Sequence, residues 1–343
     1  MPAEMPAQTA IAAPNQATSP LIALKSVYDL VANDFAAVNQ LIPAQLTSDV
    51  DLVEEISQYI VESGGKRLRP LLVLLAARCC GYEGAEHVKL AAIIEFLHTA
   101  TLLHDDVVDH SVLRRGRATA NATWGNAPSV LVGDFLYSRA FQLMVELGQM
   151  DIMAILSDAT NTIAEGEVMQ LANVGNCQIS EAEYMEVIRC KTALLFEAST
   201  HTAAVLASQD GRIRESLKRF GEHFGLAYQL VDDWLDYAGE SESMGKNVGD
   251  DLAEGKLTLP LINALALGNE SDRALLGECI SARSVDALPD VLRIVRSTGA
   301  LDYTKATARQ QSETAIGCLE TLPANAHRDA PETPAHFATA RLN

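Results

Sequence analysis

The sequence has few basic residues for its size. Its 26 lysines and arginines face 45 aspartates and glutamates, which gives a formal net charge of −19. A chain this acidic repels a phosphate backbone, so nucleic acid is excluded as a general partner. An anionic small-molecule substrate remains open, provided that basic side chains cluster locally or that a cation lies between protein and ligand.

Cysteine pairs of the CxxC type are missing. The six cysteines, at positions 79, 80, 177, 190, 279 and 318, show no spacing typical of a metal site or a disulfide framework. In a chain of this length we expect reduced thiols in the core and a cytoplasmic location.

Long apolar runs are also absent. The most apolar stretches, 71–77 and 90–103, are short or interrupted by charged residues and histidine, so no transmembrane segment is predicted. The first basic residue is Lys25, which argues against a signal peptide. Residues 1–20 are rich in Ala, Pro, Gln, Ser and Thr and lack apolar periodicity, and we expect a disordered leader there.

Strand-like alternation and Pro/Ser/Gly linkers are lacking, whereas apolar residues recur at three- and four-residue spacing from residue 21 onward. The predicted helices are 21–42, 51–63, 85–110, 129–147, 152–173, 181–207, 212–237, 257–267 and 274–298. Several are apolar over more than one face, which favours a single all-α domain over residues 21–322, built as a helical bundle around a central cavity. Three prolines in the last 21 residues predict an irregular, Pro-interrupted tail over 323–343.

An acidic pattern occurs twice within apolar helical sequence. DDVVD covers residues 105–109 and DDWLD covers residues 232–236. On a helix the first and fifth residues lie on the same side, and two carboxylates about 5–6 Å apart repel by about 3 kcal/mol at an effective dielectric constant near 20. Acidic runs often form solvated helix faces, but two copies in apolar surroundings favour opposing walls of a metal site. Ligands that are all oxygen favour Mg²⁺ over zinc.

A magnesium-loaded acidic site implies a polyanionic ligand, and basic groups to hold it are present at several places. They are Lys66, Arg67 and Arg69 after a Gly-Gly turn, Arg114 and Arg115 after the first acidic motif, Lys191 beside Thr192, and Lys246 and Lys256 after the second motif. Mg²⁺ would bridge a diphosphate while Arg and Lys bind the oxygens that the metal leaves free.

The order of these motifs resembles that of the trans-prenyl (polyprenyl) diphosphate synthases, most nearly the bacterial octaprenyl type that makes quinone side chains. The matching segments are GGKRLRP (64–70), HDDVVDHSVLRRG (104–116), KT (191–192), QLVDDWLD (229–236) and GKNVGDDLAEGKLTLP (245–260). The resemblance covers about residues 25–325 and implies an isoprenoid-synthase helical bundle, usually a homodimer. Such enzymes condense an allylic diphosphate, here expected to be farnesyl diphosphate, with isopentenyl diphosphate and release pyrophosphate.

The resemblance also implies a role for each matching residue. It implies two to three Mg²⁺ ions on Asp105, Asp109 and Asp232, with Asp236 included in the metal site and Asp106 and Asp233 as supporting groups. Isopentenyl diphosphate would be held by Lys66, Arg69, His98 and Arg115. The allylic diphosphate would be held by Arg114, Lys191, Thr192, Gln229, Lys246 and Lys256, of which Arg114, Lys191 and Lys256 would also act in catalysis.

Chain length is expected to depend on the small residues Ala100 and Thr101 before the first acidic motif, because neither carries a ring that would block the growing tail. Phe141 and Met144 on a following helix are expected to form the tunnel floor. We therefore expect an octaprenyl product, with hexaprenyl to decaprenyl lengths as alternatives.

Other interpretations of single residues stay open at this point. His98 could be a core histidine, Gln229 a buried amide, and Thr192 a helix residue bonded to its own backbone. The pair His104-Asp105 is similar to the HD pair of metal phosphohydrolases, but that class does not explain the second acidic motif. A terpene cyclase would not need Lys66 and Arg69, and a non-catalytic partner subunit should have lost the acidic motifs.

Overall fold

Residues 20–238, 248–323, 325 and 327–342 are described by the computed structural model. In the first half of the chain the helices are α1 (Pro20–Leu30), α2 (Ala32–Ala44), α3 (Asp51–Glu62), α4 (Leu68–Cys79), α5 (Glu86–Val108), α6 (Ala120–Trp124), α7 (Asn126–Leu147) and α8 (Met150–Ala172). A two-stranded antiparallel hairpin, β1 (Leu113–Arg114) and β2 (Arg117–Ala118), follows α5.

The second half is helical as well. Its helices are α9 (Glu181–Ile188), a π turn (Arg189–Ala193), α10 (Leu194–Leu206), α11 (Gly211–Ala238), α12 (Asp250–Glu254), α13 (Leu259–Leu267), α14 (Glu270–Ala282), α15 (Leu288–Ser297), α16 (Ala300–Cys318), a 3₁₀ turn (Leu319–Thr321) and α17 (Glu332–Ala340). The all-α prediction is therefore confirmed.

Several predicted boundaries differ from the structure. The predicted helix 21–42 is two helices, and 274–298 is divided where Arg283 adopts a left-handed conformation with φ 52°. The long segment 181–207 is interrupted by the π turn, and α16 was not predicted. Apolar periodicity continues across such breaks, because a turn of one to five residues changes the direction of the helix without changing which residues are apolar.

The prediction of an irregular tail is corrected for residues 332–340, which form a helix, whereas the described residues of 323–331 form none. Helix α17 begins directly after Pro331 and has Pro334 in its first turn. Proline is tolerated there because the first N–H groups of a helix have no intrahelical partner to lose. Phe337 and Ala338 of this helix are buried. The leader predicted for residues 1–20 lies outside the described residues, apart from Pro20, which starts α1.

The core is centred on helices that are buried on nearly all faces. Ten of the twelve residues of α4 are buried, and in α10 the buried stretch runs from Leu195 to Leu206 with the single exception of His201. A helix that is buried on nearly all faces needs neighbouring helices on every side, and α10 packs against α4, α5, α8 and α11. An aromatic cluster fills the space between α10 and α11, where the rings of Phe196 and Phe224 lie 5.0 Å apart.

Two glycines let α11 approach the chain segment before it. A Cβ on Gly221 would lie 2.4 Å from the Phe196 carbonyl oxygen, and one on Gly225 would lie 2.5 Å from the Ala193 Cα. This close approach places the second half of α11, with Gln229 and Asp232, beside the π turn. All six cysteines are free thiols, four of them buried. In the described part of the chain, no helix has the length and apolar character needed to span a bilayer.

Candidate active site

The first acidic motif lies at the carboxyl end of α5, where Asp105 and Asp109 are half-buried beside two ammonium groups. Lys191 Nζ is 4.0 Å from Asp105 Oδ2, and Lys256 Nζ is 2.9 Å from Asp109 Oδ2. Burial raises the pKa of Asp105, and the Lys191 ammonium opposes this effect. The two carboxylates therefore lie at a position where positive charge is stabilising.

Asp106 differs from its two neighbours because it is buried and faces Arg114. Arg114 Nη2 donates to Asp106 Oδ1 at 2.7 Å, and Arg114 Nε donates to the same oxygen at 2.9 Å. Burial lowers the pKa of Arg114, but the hydrogen bonding to Asp106 acts in the opposite direction, and the pKa of Arg114 is raised above its usual value. Asp106 thus fixes the hairpin that carries Arg114 and Arg115 against α5.

The three carboxylates of the second motif have three different environments. Asp232 is half-buried and accepts a hydrogen bond from Arg341 Nη1 at 2.7 Å. Asp233 is buried and accepts from the Tyr184 hydroxyl and, at 2.7 Å, from Gln229 Nε2. Asp236 accepts from the backbone N–H groups of Asp250 and Asp251 at 3.2 Å each, at the start of α12. Asp232 is thus paired with a side-chain cation, the Arg341 guanidinium.

Lys256 links the first acidic motif to the segment that follows the second. It follows α12 directly, and its ammonium contacts both Glu254 and Asp109, at 2.5 and 2.9 Å. Burial lowers its pKa, but the carboxylates of Glu254 and Asp109 outweigh burial and raise the pKa above the usual lysine value. The segment after the second motif is thereby joined to the end of α5.

The residues present fit a divalent cation. Among the described residues no three His, Cys, Asp or Glu side chains converge as a preformed metal cluster. Instead Asp105, Asp109 and Asp232 each lie within 4.0 Å of a lysine or arginine nitrogen. These carboxylates offer oxygen ligands, which hard divalent ions prefer.

The four residues predicted for isopentenyl diphosphate come together at the start of α4. Arg69 Nη1 lies 3.2 Å from His98 Nε2, and the Arg69 guanidinium lies 4.0 Å from the centre of the Phe196 ring. Arg115 stacks on the Gly65 backbone so closely that a Cβ on Gly65 would lie 2.4 Å from Arg115 Nη1. Lys66 is adjacent, which completes a cationic pocket.

This pocket carries more positive charge than its surroundings stabilise. Burial lowers the pKa of Arg69 to about 10 and also lowers the pKa of Lys66 and of Arg115. Burial lowers the pKa of His98 well below its usual value, so the imidazole is neutral and can accept from Arg69. An anionic ligand would relieve these costs, which is the property expected of a diphosphate site.

Thr192 and Gln229 take part in a polar chain that joins two elements. Thr192 Oγ1 donates to Gln229 Oε1 at 2.9 Å, and Gln229 in turn donates to Asp233. The interpretation of Gln229 as an amide with its own hydrogen bonds therefore agrees with its contacts, and the chain connects the π turn to α11. Lys246 lies outside the described residues.

Sequence reasoning missed several residues of the site. They are Glu95, Glu167, Gln170, Glu254 and Arg341. Glu95 keeps 16% exposure, lies 4.0 Å from Arg67 Nε, and has one oxygen without a hydrogen-bond partner. Glu95 could have been found from its position three residues before His98 on α5, since residues at that spacing share a helix face. No sequence pattern indicated Arg341 as a site residue, because the tail was predicted to be irregular.

The residues predicted to set chain length lie on α5 and α7. Ala100 is 0% exposed, whereas Thr101 is half-buried and lies one turn before Asp105 on the same helix face. On α7, Met144 is buried in the core. Phe141 lines a concavity together with Tyr137 and Val145, and Val145 is 66% exposed. The four residues therefore differ in exposure and do not all line the same surface.

Comparisons with known proteins agree with this geometry. Residues 50–295 match the family model described as polyprenyl synthetase. The chain is 48% identical over 319 residues to the octaprenyl diphosphate synthase of Escherichia coli, and the aligned region covers 93% of this chain and 99% of that protein. It is 50% identical over 313 residues to an all-trans-nonaprenyl-diphosphate synthase (geranyl-diphosphate specific) of Rhodobacter capsulatus, covering 91% and 96%.

A solved structure gives the same result for the fold. A polyprenyl synthase from Caulobacter crescentus, in complex with calcium and isoprenyl diphosphate, superposes with a TM-score of 0.90. The two chains are 43% identical, and the match covers 95% of this chain and 99% of that one. The fold is therefore the all-α isoprenoid-synthase fold, and the calcium in that relative supports dependence on a divalent metal.

Proposed function

Because the chain belongs to the polyprenyl synthetase family and is a trans-prenyltransferase, we propose that it elongates farnesyl diphosphate with successive isopentenyl diphosphates. The product would be all-trans octaprenyl diphosphate for quinone side chains. The observation that carries this proposal is the presence of two separate sites that suit a diphosphate. One is the cationic pocket of Lys66, Arg69 and Arg115. The other is formed by the acidic motifs, which would bind the diphosphate through Mg²⁺, together with the neighbouring lysines.

Octaprenyl is the chain length that we favour among the alternatives. The Escherichia coli relative is an octaprenyl synthase, whereas the Rhodobacter capsulatus relative of similar identity makes a nonaprenyl chain from geranyl diphosphate. Both supply a long chain, and neither determines the primer for this protein. Hexaprenyl to decaprenyl products are the alternatives that a product assay would reveal.

We assign Mg²⁺ to Asp105, Asp109 and Asp232. Magnesium would neutralise charge on the leaving diphosphate and would bring two to three positive centres to the acidic walls. Asp106 and Asp233 would support the ligands from behind, because both are buried with protein partners. We move Asp236 to the same supporting group, since its carboxylate accepts from two backbone N–H groups.

The side chains then divide the chemistry between them. Lys191 and Lys256 lie beside the carboxylates that we assign to the metal. They would stabilise the negative charge on the departing pyrophosphate as the allylic C–O bond breaks. Arg114 would contribute to catalysis indirectly, because its hydrogen bond to Asp106 holds the hairpin in place. The buried apolar faces of α4, α5 and α10 would keep water from the allylic cation while the isopentenyl double bond attacks it. The released pyrophosphate would then accept the proton.

The growing tail would pass along α5 below the first acidic motif. Thr101 is the better candidate for a tunnel-lining residue because it retains exposure on the Asp105 face, and Ala100 would support it from within the core. Met144 fits a floor residue, since it is buried. Phe141, at the surface concavity, is the weaker member of the predicted floor.

Exposed apolar side chains on α7 and α8 are the feature that we relate to a homodimer. Leu131 and Val145 on α7, and Val168 on α8, are each 66% exposed, and Leu171 on α8 is 59% exposed. Contact with a partner would remove this apolar area from water. We propose a second copy of this chain as the partner. The free thiols favour a reducing compartment, so we also propose a cytoplasmic location.

The experiment is a product assay. Purified protein is incubated with Mg²⁺, labelled isopentenyl diphosphate and geranyl, farnesyl or geranylgeranyl diphosphate in turn, and the dephosphorylated products are sized. An octaprenyl product with farnesyl diphosphate as the best primer supports the proposal. Release of phosphate without elongation would indicate a phosphohydrolase, and no reaction until another protein is added would indicate a partner subunit.

A further inference from the structure

Two residues of α8 hold the ammonium of Lys191. Lys191 Nζ donates to Glu167 Oε2 and to Gln170 Oε1, at 2.7 Å each. Glu167 and Gln170 are one helical turn apart, so both reach the same point. The same Nζ is 4.0 Å from Asp105 Oδ2. Lys191 therefore has two carboxylates within reach and is bonded to the one that lies outside the acidic motif.

The backbone brings α8 and Lys191 unusually close together. Lys191 lies in the π turn Arg189–Ala193, a form of helix that is often found at functional sites. Gly166, next to Glu167, faces this turn. A Cβ on Gly166 would lie 2.8 Å from the Cys190 Cβ and 3.0 Å from the backbone nitrogen of Lys191. The contact between Glu167 and Lys191 is therefore set by two adjoining backbone segments, and neither is a flexible loop.

The direction in which Lys191 is held matters for the metal. A hydrogen bond between two charged groups is stronger than one between neutral groups. If the charge on Glu167 were removed, the nearest remaining carboxylate for the Lys191 ammonium would be Asp105, which we assign to Mg²⁺. The ammonium would then compete with the cation for the same oxygens.

We infer that Glu167 is a positioning residue that retains Lys191 on the α8 side of the first acidic motif and so leaves Asp105 available to the divalent cation. Gln170 supplies the second, neutral acceptor for the same ammonium. This inference rests on the proposed function, because it assumes that Asp105 binds the metal and that Lys191 faces the allylic diphosphate.

The test compares Glu167→Gln, Lys191→Ala and the double variant with a matched control. Glu167→Gln keeps the shape and removes the charge. Glu165→Gln makes the same change at an exposed position of α8 whose side chain accepts from Asn161. For each variant, Mg²⁺ is titrated at a fixed concentration of inorganic pyrophosphate while the melting temperature is recorded, and the Mg²⁺ dependence of turnover is measured separately.

Glu167→Gln should raise the Mg²⁺ concentration for the half-maximal thermal shift by about tenfold, the size expected for one hydrogen bond between charged groups. The double variant should match Lys191→Ala, because Glu167 acts only through Lys191. Glu165→Gln should match the wild type. An unchanged Mg²⁺ requirement in Glu167→Gln, or the same increase with and without Lys191, would overturn the inference.

The two proposals fail in different ways. If the wild type shows no elongation with any primer, the proposed function is wrong, and the thermal titration still reports on Glu167. If the wild type elongates and Glu167→Gln binds Mg²⁺ and pyrophosphate as the wild type does, the inference alone is wrong.

Discussion

Lys256 donates a hydrogen bond at 2.9 Å to Asp109, a residue 147 positions earlier in the chain. The contact joins the loop after the second acidic motif to the helix that carries the first. Lys191 makes the corresponding approach to Asp105 from the π turn. Each predicted ligand of the first motif thus has a lysine ammonium nearby, and the first two predictions below depend on this arrangement.

The first prediction concerns the metal. Asp105→Asn and Asp232→Asn should each lower kcat by about 10²–10⁴-fold, because the leaving diphosphate loses the positive charge that these carboxylates hold in place. Helicity by circular dichroism should be unchanged. Asp290→Asn on α15 is the matched control, since that side chain is 57% exposed and distant from the site in sequence. Full turnover in the presence of EDTA would refute the metal assignment.

The second prediction separates the two diphosphate sites by their kinetics. Arg69→Ala should raise the KM for isopentenyl diphosphate about ten- to hundredfold, because it removes a charged contact made in the ground state. Lys256→Ala should mainly lower kcat, by about 10²–10³-fold, since its partner is charge that develops in the transition state. Steady-state kinetics with each substrate varied in turn would measure both. Identical changes in the two variants would contradict the division into two sites.

The third prediction concerns product length. Thr101→Tyr should place a ring on the Asp105 face of α5 and shorten the product to farnesyl or geranylgeranyl size, while the first condensations continue. Ala100→Tyr should shorten the product as well, with a lower melting temperature, because Ala100 is 0% exposed and has no space for a ring.

Thin-layer sizing of labelled products measures the effect on length. Glu86→Tyr, at the exposed first turn of α5, serves as the control and should keep the long product. A full-length product from both Thr101→Tyr and Ala100→Tyr would mean that the tail leaves the site by another path.

The fourth prediction is a pH dependence of stability that comes from His98. Burial lowers its pKa in the folded state, whereas the unfolded chain has a pKa of about 6.5. Below about pH 6.5 the unfolded state therefore binds a proton that the folded state does not, and stability falls as the pH falls. His98→Gln keeps a polar group beside Arg69 and cannot be protonated.

The measurement is the loss of melting temperature between about pH 7.5 and pH 5.5. The loss should be smaller in His98→Gln than in the wild type, since other titrating groups are common to both proteins. Equal losses would show that His98 is protonated to the same extent in the folded and unfolded states.

Much of the fold follows from local sequence, and the deviations have physical reasons. Helix α5 was predicted to within two residues at each end because its apolar pattern stops at the acidic motif. The division of 274–298 at Arg283 was missed, since a single residue in a left-handed conformation leaves the apolar pattern intact. Helix α17 was missed because Pro334 was taken as a helix breaker, although proline is accepted in a first turn.

The site was predictable where its chemistry is repeated in the sequence and hidden where it depends on tertiary contact. Two DDxxD motifs point to Asp105 and Asp232 as candidate metal ligands without a structure. Nothing in the sequence around Asp236 indicates that its carboxylate accepts from backbone N–H groups of α12. Glu167 was hidden for a related reason, since its role depends on the close approach of α8 to the π turn.

The central claim is that the protein transfers prenyl groups, and the most direct measurement counts both products of that reaction. Pyrophosphate, orthophosphate and label incorporated from isopentenyl diphosphate are measured in the same reaction with farnesyl diphosphate and Mg²⁺. The account predicts one pyrophosphate released for each isopentenyl unit incorporated, with no orthophosphate. Orthophosphate release without incorporation of label would contradict it.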